Sequence, residues 1–507
     1  MADPSTVPVI IGVSDLRSGG AGVTAEPREP AALITEATDG AIADTGVADL
    51  GPRIDTIYAV KTASWSYDDL PGLIGRHVGA ASPQTHTSSI GGHWPAALLD
   101  RIGAQIAAGT TSVALLIGGE SAASTRALSK AGLDPIGQGW LREPGGPPDF
   151  STDDLGSDDM RRANVVAPTR VYPLFENRFG HDRGLTPQET LRESATMYAR
   201  FSEIAAEHPV AWTPTVRSAD EIATVGPRNR SVSDTYPLMM NAMPFVDQAA
   251  AVIICSLAVA RELGVAEDRV VHLWGGAGAT DTPDVVAREH FGHSPALTSA
   301  VDRTLAGAGI TGRDVGIVDA YSCFPIVPKL LLRALDLPDS FVPSVLGGHC
   351  SFGGPLNSYS LHAVAEITRL LRAGEPGTVA MVHANGGYLT YQHTVLLSRA
   401  AHPDGYIGDP EHVRITSSAP ELAVSYDGDA EIVTATVEYD RDGTPKTAVI
   451  IAETADGRRV AGHTDPSGAA ELLGHTDGGA RSLVGIAIHV IDRDGRLAVT
   501  IREEAHT

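Results

Sequence analysis

Short apolar runs alternate with helix-length amphipathic stretches through the first four-fifths of the chain, and the order in which they come is repeated. Pro8-Val9-Ile10-Ile11-Gly12 reads as a buried strand, because a brief unbroken apolar run suits a sheet covered on both faces. A similar run, Val270-Val271-His272-Leu273-Trp274-Gly275, follows at an offset of about 263 residues. Helical patterning over 31–45 ends in Ile42-Ala43-Asp44-Thr45-Gly46-Val47 and then Ile54-Asp55; its echo is Leu305-Ala306-Gly307-Ala308-Gly309-Ile310 and then Val318-Asp319. A second helical pattern, 95–108, runs through Ala107-Ala108-Gly109 into the apolar stretch 113–119, and is echoed by Arg372-Ala373-Gly374 and 379–382. Matches in one order and at one spacing point to an internal duplication. Between the last two, Gly91-Gly92-His93 stands opposite Gly353-Gly354-Pro355. Strands alternating with helices predict an α/β fold with mainly parallel sheets.

The pattern is interrupted and then replaced. Residues 131–168 are rich in Gly, Pro and Asp, as in Glu143-Pro144-Gly145-Gly146-Pro147-Pro148-Asp149, and read as loop. From Pro173 to about Ala206 the periodicity is helical, and Thr186-Pro187-Gln188-Glu189 supplies an N-cap, a first-turn proline and a capping glutamate. The expected division is an N-terminal half at 1–130, an inserted loop domain at 131–245 and a second half at 246–405. After Gly408 the period changes to two, in 431–437 and 486–490, with tight turns at Asp440-Arg441-Asp442-Gly443, Asp456-Gly457 and Asp492-Arg493-Asp494-Gly495. Residues 408–507 are therefore expected to form a separate all-β, barrel-like domain. No liganding glutamate follows the Asp-x-Asp-Gly turns at the spacing a calcium loop needs.

Composition narrows the partners. With 62 acidic and 38 basic residues among 507, the formal charge is -24, which disfavours nucleic acid and anionic lipid. The longest apolar run, 249–260, is too short to span a bilayer and reads as a core helix segment holding Cys255; no secretory leader is evident, so a cytoplasmic protein is expected. The three cysteines, Cys255, Cys323 and Cys350, are unpaired in spacing, so neither a disulfide framework nor a metal site is expected.

Four segments carry a resemblance: Asp319-Ala320-Tyr321-Ser322-Cys323-Phe324, Gly347-Gly348-His349-Cys350-Ser351-Phe352-Gly353-Gly354-Pro355, His383-Ala384-Asn385-Gly386-Gly387 and Val246-Asp247-Gln248-Ala249-Ala250-Ala251. Together with the duplication they resemble the thiolase superfamily, and in detail its divergent type 1 thiolase-like proteins, labelled acetyl-CoA acetyltransferase and bearing an additional C-terminal domain. The resemblance implies the thiolase fold, two duplicated halves layered α/β/α/β/α, over residues 8–405, with the fourth segment opening the second half. It implies acyl-CoA chemistry in lipid metabolism, a coenzyme A thioester as substrate, no permanently bound cofactor, and a monomer or homodimer.

The side chains depart from that family. Its nucleophilic cysteine, set at a helix start that lowers the thiol pKa, falls at Gly92; its activating histidine falls at Gly354; and its C-terminal acid/base cysteine falls at His383. The remaining candidates for catalysis are Cys323, His383, His349, Tyr321 and His93. A thiol at Cys323 would need His349 or His383 as base, Tyr321 could protonate an enolate, and His93 at a helix start is expected to be neutral. Gly92, Gly353, Gly354, Asn385 and Gly386 are the candidates for holding an oxyanion or substrate. Three readings follow: an acyltransferase with altered chemistry, a noncatalytic acyl-CoA-binding or scaffold protein, and a carbon–carbon lyase.

Overall fold

The computed structural model describes residues 2–23, 25–141, 146, 155–416 and 418–502. Apart from Gly146, the Gly/Pro-rich run 143–149 lies outside the described residues.

The first half contributes β1 (Pro8–Arg17), β2 (Thr56–Ala59), β3 (Gln84–Thr87), β4 (Val113–Ser121) and β5 (Asp247–Ser256). The second contributes β6 (Val271–Thr280), β7 (Val315–Asp319), β8 (Val379–Gly386) and β9 (Tyr391–Ser398). Strand order is β3-β2-β4-β5-β1 in one half and β7-β8-β9-β6 in the other, so the second repeats the first without its edge strand. In each, the strand that comes last in the chain, β5 or β9, lies next to last in the sheet order and runs antiparallel to both of its neighbours. The two sheets touch edge to edge through Val9–His272 and Ile10–Val271.

Helices complete the layers. The helix Pro30–Thr45 covers the outer face of the first sheet and Pro295–Ala308 that of the second. Between the sheets lie Trp94–Ala107 and Tyr359–Ala373, packed on both and on each other. Their apolar faces, among them Leu98, Leu99, Ile102, Leu361, Val364 and Ile367, are fully buried against strand residues such as Val252 and Val382, which explains why these helices read as strongly apolar. This is the expected α/β/α/β/α arrangement.

Three sequence expectations change. Cys255 is core, as expected, but sits on a strand and not in a helix: β5 lies between β4 and β1, so the segment read as opening the second half completes the first. A continuous apolar run of that length fits a doubly covered strand as well as a helix, and periodicity cannot separate them. Next, β10 (Asp409–Arg414) pairs in parallel with β6, so the segment after 408 begins as part of the core sheet. Finally, the barrel formed by β11 (Asp427–Tyr439), β12 (Pro445–Thr454), β13 (Arg459–His463), β14 (Ala487–Arg493) and β15 (Arg496–Ile501) is closed but not all-β. The helix Pro466–His475, with Asp465 as N-cap, packs on β12.

The inserted helices Pro168–Asp182 and Pro187–Glu207 join barrel to body; the second begins with the capping box at Thr186 and Glu189. Thr434 Oγ1 donates to the Leu174 carbonyl at 2.6 Å, Asn177 Nδ2 to that of Ala435 at 2.8 Å, and Arg170 pairs with Glu438 at 2.7 Å. Val449, Ile451 and Ala461 of the barrel share one apolar core with Phe175, Phe291 and Tyr236.

Candidate functional site

The two glycine turns meet where the middle helices begin. Gly91-Gly92-His93 leads into the helix Trp94–Ala107, with His93 as its N-cap residue, and Gly353-Gly354-Pro355 leads through a single turn into Tyr359–Ala373. The turns are tied together: Asn357 Oδ1 accepts from the Gly91 N–H at 2.9 Å and Asn357 Nδ2 donates to the Lys61 carbonyl at 2.9 Å. The Gly354 N–H is held by the Met243 carbonyl at 2.9 Å, so it is engaged within the protein and not presented to an oxyanion as the sequence suggested.

At both turns the space beside the glycine is filled by a ring from elsewhere. A Cβ at Gly92 would lie 2.6 Å from the Tyr321 hydroxyl and 2.6 Å from the Asn385 carbonyl oxygen. A Cβ at Gly354 would lie 3.3 Å from the His349 ring. Tyr321 and His349 in turn touch each other, ring centres 4.3 Å apart, and His349 stacks on Tyr359 at 3.6 Å. Tyr321 donates from its hydroxyl to the Leu356 carbonyl at 3.3 Å.

The histidines are neutral. Burial pushes His349 and His93 well below the ordinary imidazole range and takes His383 down to about 4, because a charged ring has no water there. For His93 this burial, and only then the neighbouring His412 and His393, accounts for the neutrality that the sequence ascribed to the helix dipole. The His349 Nδ1 accepts from the Ser322 N–H at 3.3 Å, while His383 Nε2 bonds Gln392 Oε1 at 2.8 Å. His93 Nδ1, His349 Nε2 and His383 Nδ1 are buried without a hydrogen-bond partner. His93 stacks on Tyr391 at 4.9 Å and occupies the space a side chain at Gly386 would need.

Cys323 does not pair with either histidine proposed as its base. Its thiol lies against the Tyr172 hydroxyl, and burial pushes it up to about 12, which leaves it protonated and a poor nucleophile. Cys350 is raised to about 11 by the same cause and meets the Ser351 hydroxyl at 3.5 Å. Gly353 sits at φ 115°, and a side chain there would strike Gln248. Asn385 donates to Tyr172 Oη at 3.0 Å and accepts from Gln392 Nε2 at 2.7 Å, and Tyr172 donates to the Gly387 carbonyl at 2.9 Å.

The structure thus brings together Gly92, Tyr321, His349 and Gly354, and, beside them, His383, Gln392, Asn385 and Tyr172; Cys323 joins the second group through the Tyr172 hydroxyl and not through a histidine. Sequence reasoning missed Asn357, Gln392 and Tyr172. Gln392 carried a signal, since Gln392-His393-Thr394 puts consecutive polar residues in a fully buried strand. Tyr172 lies on an inserted helix and gave none.

Among the described residues, no group of three His, Cys, Asp or Glu is placed to hold a metal, and no helix is long and apolar enough to cross a membrane. Residues 410–487 match the family model for the thiolase-like protein type 1 additional C-terminal domain. An acetyl-CoA acetyltransferase of Methanocaldococcus jannaschii is 26% identical over 165 residues, which is 32% of this chain and 40% of that protein. One of Methanothermobacter thermautotrophicus is 24% identical over 383 residues, 70% of this chain and 91% of that protein. The chain therefore spans well under two thirds of the first relative and most of the second. A solved structure, the monomeric SCP2-thiolase like protein type 1 from Mycobacterium smegmatis, is 29% identical with a TM-score of 0.81, covering 99% of this chain and 100% of that one.

Proposed function

We propose, from the premise that the chain is a divergent thiolase-like protein with an additional C-terminal domain, that it handles an acyl-CoA thioester by proton transfer and forms no acyl-enzyme. The observation that carries this reading is the Tyr321 hydroxyl standing against Gly92, in contact with the His349 ring. A tyrosine there cannot act as the thiolase nucleophile, since burial holds its hydroxyl far above neutral pH. As a protonated donor in a water-poor site it can hydrogen-bond the oxygen of a thioester enolate, where such a bond is stronger than in water. A neutral histidine of the site removes the α-proton, and reprotonation at carbon closes the cycle.

This reading is compatible with an acyltransferase in which the enolate attacks a second thioester directly, and with carbon–carbon cleavage run in reverse. Its test is the exchange of α-protons of acetyl-CoA and acetoacetyl-CoA in D2O, followed by NMR, with intact-mass measurement on the same samples. Exchange above the buffer rate, absent in Tyr321→Phe, and no acyl adduct on the chain are expected. An adduct on Cys323, or exchange unchanged in Tyr321→Phe, would overturn the proposal. The burial of Tyr321, His349 and His383 favours a second reading, a noncatalytic acyl-CoA-binding or scaffold protein. Calorimetric binding of the thioesters without any exchange would select it.

A further inference from the structure

Two neutral histidines near the proposed reaction are wired oppositely, and one wire can be followed to an end that admits a single answer. The Gly387 carbonyl can only accept, so at 2.9 Å the Tyr172 hydroxyl must give it its proton. With that proton committed, Tyr172 Oη is an acceptor toward Asn385, and the amide atom 3.0 Å away must be the NH2 nitrogen. That orientation turns Asn385 Oδ1 toward Gln392, so Gln392 presents its own NH2 there, at 2.7 Å. Its carbonyl oxygen is then left facing His383 Nε2 at 2.8 Å, and that nitrogen must carry the proton. The amide orientations, usually a matter of assignment, follow here from one backbone carbonyl. The Cys323 thiol, also beside Tyr172, stays protonated and offers no competing anion.

We infer that Tyr172, Asn385 and Gln392 are positioning residues that lock His383 as its Nε2–H tautomer, making Nδ1 the free proton acceptor of the site, while His349, held as the same tautomer through its other nitrogen, is left with its N–H free as a donor. For His349, the Ser322 N–H donates to Nδ1 at 3.3 Å, which puts the ring proton on Nε2. The free ring atoms are thus His383 Nδ1, a bare lone pair, and His349 Nε2, an N–H; both are buried and have no protein partner. A buried polar atom without a partner costs stability, and a chain of exclusively buried groups that maintains one is expected where a ligand completes it. In a proton-transfer reaction this gives His383 the base role and leaves His349 to support the Tyr321 hydroxyl. The assignment rests on the proposed proton-transfer reading for its meaning, but the tautomer itself does not. Asn385, expected from sequence to hold an oxyanion directly, acts instead through His383.

Two-bond 15N–1H correlation spectra of the histidine-labelled full chain at neutral pH test it, with the His383 signals identified by their absence in His383→Gln. The wild-type ring should show the Nε2–H pattern alone, and Tyr172→Phe should give a mixture of tautomers, because the amides are then free to turn over. In Gln392→Glu the His383 titration should rise from about 4 by roughly one to three pH units, as a carboxylate faces the ring. A wild-type Nδ1–H or mixed pattern overturns the inference, as does a Tyr172→Phe spectrum identical to wild type. Should Tyr172→Phe fail to fold, the wild-type tautomer and the Gln392→Glu titration still decide it. Loss of α-proton exchange with the tautomer intact would count against the proposed function and leave the lock standing.

Discussion

The Gly91–Gly92 turn and the Gly353–Gly354 turn hold equivalent places in the duplicated halves, yet they are built differently. The first is held by a side chain, Asn357, that comes from beyond the second turn; the second is held by a backbone carbonyl, that of Met243. At Gly92 the space beside the glycine is filled tightly by a residue of the other half, Tyr321, and at Gly354 loosely by His349, five residues upstream. The two halves share the backbone course at both places and differ in the side chains that surround it. What the first turn lacks by itself, the second half provides.

The largest effect should come from removing the group that fills the first turn: Tyr321→Phe is expected to lower α-proton exchange by about 10²- to 10³-fold, the usual range for a lost oxyanion donor. Only a modest drop in the thermal midpoint should accompany it, since the hydroxyl's bond to Leu356 is long at 3.3 Å. Next comes a respect in which the halves are alike. Burial raises Glu120, at the end of β4, and Asp319, at the end of β7, to about 7 each. The folded state keeps these protons up to about pH 7, whereas the unfolded chain releases them near pH 4. Stability from this source is therefore full below pH 4 and falls as pH rises toward 7, by roughly 3 kcal/mol per carboxylate. Urea midpoints at pH 5 and pH 7 should show the fall, and Glu120→Gln and Asp319→Asn should each remove about half of it.

Smaller substitutions at the turns sharpen the contrast between them. Gly92→Ala should destabilise by about 2 kcal/mol, because its Cβ would meet the Asn385 backbone as well as Tyr321, and overpacking of that kind is not relieved by a rotamer change. Gly354→Ala, whose nearest neighbours stand at 3.3 and 3.4 Å, should cost less than about 1 kcal/mol. Equal losses in chemical denaturation would show that the two spaces are equally full and that the asymmetry is illusory. Asn357→Ala should cost about 1–2 kcal/mol, the penalty for leaving the buried Gly91 N–H unpaired. Hydrogen exchange at Gly91 should speed up in that variant while exchange at Gly354 does not change.

The layered fold was legible because both sheets and the helices between them write strong apolar runs, and because the halves repeat in register. The type 1 thiolase-like character was legible in Tyr321-Ser322-Cys323-Phe324 and Phe352-Gly353-Gly354-Pro355. Placing β5 in the second half followed from the resemblance of Val246–Ala251 to a second-half start, and reading it as helix followed from the unbroken apolar run after Gln248, which has no period to read. At the site, the two glycine turns could be located from the sequence, but the rings that fill the space beside them could not. Tyr321 and His349 reach those turns through space, and the pairing of Cys323 with Tyr172 depends on an inserted helix whose docking leaves no trace in local patterning. Asn385 was given a direct role, since only its partners show that both ends of its amide are already engaged.

The short strand β10 has a bearing on how the molecule could be divided. Its residues 409 and 412–414 lie along β6 at 277–280, and its His412 closes a hydrogen-bonded line through His393 to the fully buried Asp100. A chain cut at the start of the C-terminal segment would leave that stretch of β6 as an open sheet edge, available to any other extended chain, and would strip His393 of a partner. A cut after β10 would instead keep the edge closed and test the barrel alone. The place where the sequence changes character is thus a poor place for scissors: the body borrows its last strand from beyond it.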